Sequence, residues 1–550
     1  MLSYRKLAMR VLGRPLHTGG SDSPRPASQR AAALILTAAM LTTLTAPAFA
    51  KEWYIEEGDI TVRAGETEGT NKVSQGENPE VEDTNTVITN SDKDKASSNT
   101  VTIEAKDKDD KVEVTLKDVN IDTSSRSEAA VSVTGEGNTN IELDGDNALK
   151  SDIYSSGISS SGSLTISGGE NDSLTAQGGS GADGIYSSGS LTISGGTVTA
   201  NGGSGGGGGD GIWSSGGVTI SGGSTVTANG GDGKDDYGGD GIRSDSGDVT
   251  ISGGSTVTAN GGNGGNVSGD GIRSDSGDVT ISGGTVKAAG GDSKDGYGGD
   301  GIRSGGVTIS GGTVNAAGGN GGKVGGYGIC SFARVAISGG TVNAAGGNGK
   351  NSNGGSDGII SNDIDLSGSL ELTAKAGRPN GKAISWAGHE LDLDTIKDKL
   401  GPGAKVTATD ANGETKQVSS PIPRPVEPEE PEPVIPEESS SSSDGGSATP
   451  SAPASPLPGL TVTDKDGQRI SYTSTQSGNT LTVCVGRLTA SLRASLATLR
   501  QLRAEGIDTI TFQTILCSTT LSVDELLAMG GEDAEAVLTH RLTASSLTVG

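Results

Sequence analysis

The chain repeats itself at a nearly fixed spacing. The sixteen residues "GDGIRSDSGDVTISGG" at 239–254 return unchanged at 269–284. The Gly-Ile pair in this phrase recurs every 27 or 30 residues, at Gly157, Gly184, Gly211, Gly241, Gly271, Gly301, Gly328 and Gly358. Self-similarity at such a period is typical of stacked repeats, in which each unit packs only against its neighbours. The chain is therefore predicted to form an array of coils.

Each coil contains three short β phrases, which in the coil starting at Gly211 read "GIWSS", "GVTISGG" and "STVTANGG". Alternation places Ile212, Ile220 and Val226 on an inner face and Thr219 and Thr227 on the outer face. Such a narrow core needs few aromatic residues, in agreement with the aromatic content of 3%. The fold predicted is all-β, a parallel β-helix of roughly ten coils and about 48 Å in length, with coils ~4.8 Å apart.

Residues 1–50 have the composition of a secretory signal. Six basic residues precede the apolar run "AAALILTAAMLTTLTAPAFA", which closes on the small-residue site Ala48-Phe49-Ala50. We predict cleavage after Ala50, with an uncleaved anchor as the alternative and no membrane span in the mature chain. The expected location is extracellular, with association to the cell surface left open. The net charge of −27 makes nucleic acid an improbable partner.

The ends of the β-helix need caps, because they would expose unpaired strand edges. We assign the β-helix to residues 51–418. At the N-terminal end, the candidate cap residues are Trp53, Tyr54 and Ile55. At the C-terminal end, a helical spacing predicts a lid formed by Leu393, Ile396 and Leu400.

The composition changes after the β-helix. Residues 419–459 are rich in Pro, Glu and Ser and are predicted to be a disordered linker. Residues 460–550 are predicted to be a small α/β domain of unknown role. One helix would place four leucines on one face, and a second would begin with a capping box; these residues are Leu488, Leu492, Leu496 and Leu499, then Ser522 and Glu525. The strand "IDTITFQT" would lie between the two helices.

Basic residues of this last region, Arg487, Arg493, Arg500 and Arg503, would either contact an anionic cell wall or form a solvated helix face. Three cysteines do not make a disulfide framework. Cys330 is alone in the array, whereas Cys484 and Cys517 could pair.

Stacking turns one position of the repeat into a row. The residue before each Gly-Ile pair forms an acidic row of Asp183, Asp210, Asp240, Asp270 and Asp300, which Tyr327 interrupts before Asp357. Carboxylates ~4.8 Å apart would repel one another by about 3.5 kcal/mol at an effective dielectric constant of about 20. Two kinds of compensation stay open. Hydrogen bonds from the glycine-rich bends would satisfy the carboxylates, or calcium ions would bind between coils.

A second row follows the Gly-Ile pairs and consists of Tyr186, Trp213, Arg243, Arg273, Arg303, Cys330 and Ile360. If it faces outward, its aromatic rings could stack on sugars and its guanidinium groups could hold carboxylates. Tyr237 and Tyr297 in the loops would extend this strip. The alternative is that the arginines only pair with the acidic row in a surface ladder.

The phrases "WYIEEGDITV", "SLTISGG" and "GDGI", repeated after a secretory leader, resemble the secreted bacterial carbohydrate-binding domain-containing proteins of clostridia and gut Firmicutes. The resemblance covers residues 51 to about 400. It implies a right-handed parallel β-helix similar in shape to pectate lyases, with calcium ions and affinity for plant polysaccharide such as pectin. It implies no catalysis and assigns no individual binding residue.

The function predicted from these features is non-catalytic binding of an acidic polysaccharide, assisted by calcium. One alternative is a surface adhesin or structural stalk. The other is a polysaccharide lyase, which the sequence disfavours because Arg243, Arg273 and Arg303 are products of one duplication and none is distinguished as a base.

Overall fold

A computed structural model describes residues 51–67, 69–352, 354–420, 460–464, 469–470, 473–477, 479–485, 489–504, 506–514, 518–523, 526–527, 535–541 and 544–549. The chain divides into two compact units, with the boundary between Arg424 and Pro425. The predicted signal peptide and all but the first two residues of the predicted linker lie outside the described residues.

The first unit is a parallel β-solenoid of about 13 turns. One of its sheets has fifteen strands, of which twelve pair in parallel and belong to twelve successive turns. These twelve are Ile60–Ala64, Val101–Glu104, Val131–Thr134, Ile158–Ser160, Ile185–Ser187, Ile212–Ser214, Ile242–Ser244, Ile272–Ser274, Ile302–Ser304, Ile329–Ser331, Ile359–Ser361 and Ile384–Trp386. The other three lie at its ends and pair antiparallel, and they are Asn71–Gln75, Val81–Asp83 and His389–Glu390.

The second sheet has 22 strands and supplies the remaining two strands of a regular turn. Its strands are Glu52–Tyr54, Thr86–Thr89, Lys111–Lys117, Asn120–Asp122, Asn138–Asp144, Asp146–Lys150, Ser163–Gly168, Ser173–Ser180, Ser190–Ile193, Thr197–Gly203, Gly217–Ile220, Thr225–Asn229, Val249–Ile251, Thr256–Asn260, Val279–Ile281, Thr285–Ala289, Val307–Ile309, Thr313–Ala317, Arg334–Ala345, Asp363–Lys375, Lys405–Thr409 and Thr415–Ser419. The last of these ends one residue beyond the boundary predicted at 418.

The repeat places identical side chains above one another, as the period predicts. Ile242 pairs with Ile272, and Ile251 pairs with Ile281 one turn away. All four are fully buried, whereas Thr250, the residue before Ile251, is half-buried on the outer face. β-branched side chains suit this arrangement because they pack well on a pleated surface. The columns of isoleucine predicted from the sequence are therefore confirmed as the core.

The estimate of roughly ten coils was too low. The early turns lack the Gly-Ile pair, so the repeat does not mark them in the sequence. Glu52–Tyr54 and Ile60–Ala64 already pair in parallel with strands of the following turn. The segment predicted as an N-terminal cap thus belongs to the first turn, and the antiparallel strands Asn71–Gln75 and Val81–Asp83 extend the sheet edge beyond it.

At the other end, the predicted lid covers the core, although as a 3₁₀-helix. The 3₁₀-helix Leu393–Lys399 buries Leu393 and Ile396 against the solenoid core, together with the following Leu400. Its N-cap Asp392 accepts a hydrogen bond from the backbone N–H of Asp394. A second 3₁₀-helix, Ile55–Glu57, lies near the start of the solenoid.

The variable loops also stack on one another. Isolated parallel bridges join Tyr237 to Val267, Val267 to Tyr297, and Tyr297 to Val324. Loops of different sequence therefore continue the coil-to-coil hydrogen bonding along one edge of the solenoid. This edge has a regular position for a side chain in each coil.

The second unit has two four-stranded sheets and two stretches of helical residues among its described residues. One sheet contains Leu460–Thr463, Thr489–Ser495, Glu535–Arg541 and Ala544–Val549, and the other contains Thr473–Ser477, Thr480–Cys484, Thr509–Gln513 and Ser518–Ser522. Val523, Leu526 and Leu527 are helical, and the longer helix is Leu496–Ala504. Its Leu499 packs into a separate core with Phe512.

Part of the predicted first helix of this unit is a strand. Ala490, Leu492 and Ala494 are buried at alternate positions in Thr489–Ser495, so the period of two prevails over the leucine spacing of four. The predicted strand "IDTITFQT" is confirmed as Thr509–Gln513. Ser522 ends a strand, and the helical Val523 follows it directly, where the second helix is predicted to begin. Arg487, Leu488, Cys517 and Glu525 lie outside the described residues. In the part of the chain that the structure covers, no helix is long and apolar enough to span a membrane.

Candidate functional site

A groove opens on the solenoid where the loop side chains become small. Gly207 occupies the position before Ile212 that Tyr237 occupies before Ile242. The groove beside them has a cavity volume of about 260 Å³, and Gly208 and Gly209 line it. Charged and aromatic side chains complete its lining, namely Asp183, Asp210, Trp213, Tyr237, Asp240, Arg243 and Arg273. Members of the two predicted rows and one predicted loop tyrosine thus meet in one place.

The acidic row forms a ladder of hydrogen bonds. Oδ1 of Asp183 accepts the backbone N–H of Asp210 at 2.7 Å, and Oδ1 of Asp210 accepts that of Asp240 at 2.6 Å. The same bond links Asp240 to Asp270 and Asp270 to Asp300, each at 2.6 Å. Backbone donors in the bends therefore satisfy one oxygen of every carboxylate, which is the first of the two compensations predicted from the sequence.

Burial makes ionisation of this ladder costly. All five carboxylates are at least nine-tenths buried. Burial, followed by the neighbouring Asp270 carboxylate, raises the pKa of Asp240 to about 7. Burial and Asp300 raise the pKa of Asp270 to about 7, and burial raises the pKa of Asp183 to about 6. Burial thus favours the protonated form of these carboxyl groups, because their charged form is poorly solvated.

Apart from the buried Cys330, the residues of the second row are half-buried on the outer face, and Arg243 and Arg273 are already paired. Arg243 donates from Nε to Asp245 at 3.0 Å and from Nη2 to Asp275 at 3.1 Å. Arg273 donates from Nε to Asp275 at 2.7 Å, and its Nη1 lies 3.9 Å from Asp240. These guanidinium groups are therefore parts of a surface ion ladder.

The two aromatic residues of this row contact each other and the first arginine. The rings of Tyr186 and Trp213 pack edge to face with centroids 5.2 Å apart. The indole N–H of Trp213 donates to Asp245 at 3.0 Å, and Arg243 lies 5.1 Å from the indole centroid. Trp213 is consequently fixed in orientation at the groove wall, since its edge and its polar atom both have partners.

Other predicted site residues lie outside the groove. Tyr297 is exposed on the same loop edge two coils beyond Tyr237. Arg303 lies 5.2 Å from the ring centroid of Phe332, and its Nη1 is 3.7 Å from Asp300. Asp270 continues the ladder but does not line the cavity. The groove thus gathers four of the seven residues of the predicted strip, and these are Trp213, Tyr237, Arg243 and Arg273.

Sequence reasoning missed three contributors to the site. Asp245 and Asp275 belong to the repeat, yet their pairing with arginines of the same and the preceding coil becomes visible only in the stack. Tyr154 was missed because its loop precedes the regular coils. It is 85% exposed, and its ring lies 3.9 Å from where a Cβ on Gly181 would stand. Tyr154 therefore lies beside Gly181, which lines the groove.

Calcium does not fit the acidic row through protein carboxylates alone. Each carboxylate already gives one oxygen to the backbone. Within the described residues, no three side chains of His, Cys, Asp or Glu are grouped closely enough to hold a metal ion. A calcium site at Asp183, Asp210, Asp240, Asp270 or Asp300 would need oxygens from a ligand as well.

Comparison with known proteins agrees with the fold. The family model described as a Beta helix repeat matches residues 191–210, 218–242, 279–302 and 307–329, which all lie in the solenoid. No curated protein and no solved structure matches the chain significantly. The protein is thus a parallel β-helix protein, and its likeness to carbohydrate-binding proteins stays a prediction from the sequence.

Proposed function

We propose that the protein binds a polysaccharide in the groove without cleaving it. The observation that supports this proposal is the meeting of Trp213 and Tyr237 with buried carboxylates in one open cavity. Aromatic rings offer flat apolar faces to sugar rings, while carboxylates accept hydrogen bonds from sugar hydroxyl groups. The groove crosses several coils, so it suits a chain molecule better than a single small ligand.

An acidic polysaccharide such as pectin would need a bridging cation here. The groove arginines are paired with Asp245 and Asp275, and the chain has a net charge of −27. Calcium between ligand and protein carboxylates would supply that bridge. This calcium-assisted form of binding is a prediction.

A glycan array probed with the full-length protein, with and without a chelator, tests the proposed function. Binding of any glycan class supports it, and binding that a chelator abolishes identifies the calcium-assisted form. A blank array at high protein concentration would contradict it and favour the adhesin or stalk alternative.

The lyase alternative has its own assay. Incubation with polygalacturonate and calcium should yield no unsaturated, ultraviolet-absorbing product if the protein only binds. A product that disappears in Arg273→Ala would show that the protein is an enzyme. Secretion and cell-wall contact through residues 460–550 are further predictions, tested by finding the chain in the culture medium or on the cell envelope.

Substitution of Tyr237 by alanine is expected to weaken polysaccharide binding by about two- to twelvefold, since one stacking aromatic contributes about 0.5–1.5 kcal/mol. Tyr237 lines the groove and is 55% exposed, so the change removes a binding surface without opening the core. Calorimetric titration with the best glycan from the array measures the effect.

Tyr297→Ala is the matched control. Tyr297 occupies the same loop position two coils away and is 48% exposed, but it does not line the groove. Equal losses in the two variants would place the binding surface along the loop edge and not in the groove.

A further inference from the structure

The three arginines of the second row lie above one another in successive coils, but their neighbours differ. An outer position follows the serine that ends the strand of each arginine, and in four successive coils it holds Asp245, Asp275, Gly305 and Phe332. Arg243 and Arg273 each contact the aspartate of their own coil. Arg303 has no such partner, because its own coil has glycine there and the next coil has phenylalanine.

The guanidinium group of Arg303 consequently keeps donors that the other two use. In Arg243, Nε and Nη2 each donate to an aspartate. Within the described residues, Arg303 makes one ion-pair contact, from Nη1 to Oδ2 of Asp300 at 3.7 Å, and this oxygen has no hydrogen-bond partner. The Arg303 side chain is 41% exposed, compared with 30% for Arg243 and 32% for Arg273. Its Nε and Nη2 are therefore available to a ligand from solvent.

Phe332 adds an apolar surface beside these donors. Its side chain is 54% exposed, and the Arg303 Cζ lies 5.2 Å from its ring centroid. This cation–π contact orients the guanidinium group without using its N–H groups. A sugar ring that carries a carboxylate suits such a pair, because the sugar can stack on the phenyl ring while the planar guanidinium group holds the carboxylate by two parallel hydrogen bonds.

The acidic row is also interrupted at this place. Tyr327 occupies the position of the next aspartate, and its backbone N–H donates to Oδ1 of Asp300 at 2.7 Å. Asp300 itself is only 5% exposed. An anion that approaches Arg303 from solvent therefore meets none of the outer carboxylates that surround Arg243, so it needs no calcium ion to offset them.

We propose that Arg303 and Phe332 form a calcium-independent subsite for a uronic acid residue of the bound polysaccharide. This inference rests on the proposed function and specifies one sugar of its ligand and the residues that recognise it. Nε and Nη2 of Arg303 donate to the uronate carboxylate, and the sugar ring lies against Phe332. Because Arg303 lies three coils beyond Trp213, ~14 Å along the solenoid, a chain held in the groove reaches the subsite by continuing along the same sheet.

Calorimetric titration of the full-length protein in a chelator, at about pH 7, tests the inference because a uronate carboxyl group is ionised there. The probes are a long oligogalacturonate and its methyl-esterified counterpart, which has the same backbone without the charge. The free acid is expected to bind at least about tenfold more tightly than the ester, a difference of about 1.4 kcal/mol, because its carboxylate accepts two charge-assisted hydrogen bonds.

Arg303→Gln is expected to bind the two probes equally, because glutamine lacks the charged, planar fork of donors. Phe332→Asp should also remove the preference while the arginine stays, since it supplies a carboxylate partner of the kind that Arg243 has. Arg334→Gln is the matched control. Arg334 is an exposed cation of the next coil, but Asp363 and Asp365 already pair with it, so the preference for the free acid should persist.

The outcomes separate the two proposals. If the wild type binds both probes equally and Tyr237→Ala weakens that binding, the Arg303 subsite fails while polysaccharide binding stands. A preference that persists in Arg303→Gln, that Arg334→Gln also loses, or that requires added calcium would overturn the subsite as well. If neither probe binds, the subsite fails, and the glycan array decides separately whether the protein binds another polysaccharide.

Discussion

Replacing Asp240 with asparagine is expected to stabilise the solenoid by about 2–4 kcal/mol at about pH 8. Burial raises the pKa of Asp240 in the folded chain to about 7, whereas an unfolded aspartate titrates near about 3.9. The folded protein therefore holds a proton that the unfolded chain has lost, and its stability falls as pH rises from about 4 to about 7. Asparagine removes this cost because it has no charge to bury.

Chemical denaturation at about pH 5 and about pH 8 measures the effect. Wild type should be more stable at the lower pH, and the difference should shrink in Asp240→Asn. Asp295→Asn is the control, because this side chain is exposed on a neighbouring loop. If the wild type is more stable at about pH 8 than at about pH 5, or if Asp240→Asn is less stable than the wild type, the pKa of the buried Asp240 carboxyl group is not raised.

Gly209→Ala is expected to destabilise the solenoid by about 3 kcal/mol or more, because a close-packed backbone cannot accept the added methyl group. A Cβ at Gly209 would stand 2.0 Å from the carbonyl oxygen of Ala182 in the adjacent coil. Backbone atoms cannot rotate away as a side chain can, so the two coils must separate. Thermal unfolding of the variant reports the loss.

Gly206→Ala provides the matched control within the same glycine run. A Cβ at Gly206 meets no atom within 4 Å, and its backbone is not in the left-handed region. Alanine there should be neutral or stabilising by about 0.4–1 kcal/mol through the unfolded chain. If the two substitutions change the stability equally, the glycine run does not make close backbone contacts with the adjacent coil.

Most of the fold could be predicted because it depends on period alone. Ile158 and Ile185 pair in the structure as their spacing requires, and the same holds for the later isoleucines. The first turns were undercounted because their strands satisfy the same alternation without the Gly-Ile pair. Leu492 was misassigned since a spacing of four residues fits both a helix face and alternate positions of a strand.

The site could be predicted only as rows. Spacing aligns Asp183 with Asp210 and Trp213 with Arg243, and the structure confirms both alignments. Spacing does not show which side chains pair across coils, so Asp245 was missed as the partner of Arg243. Spacing also does not show that the two rows meet beside a loop position that is occupied by glycine. The missing side chain at this position opens the groove.

The emission of Trp213 can report whether a glycan binds in the groove. The chain has three tryptophans. Trp53 is buried near the start of the solenoid, and Trp386 is 51% exposed near the C-terminal end of the solenoid. In a Trp386→Phe variant of the full-length protein, a fluorescence titration follows Trp213 against a buried, constant background. Saturable change in emission, with a midpoint equal to the calorimetric affinity and lost in Trp213→Phe, is the predicted result. Binding by calorimetry without any change in Trp213 emission would contradict the groove as the binding site.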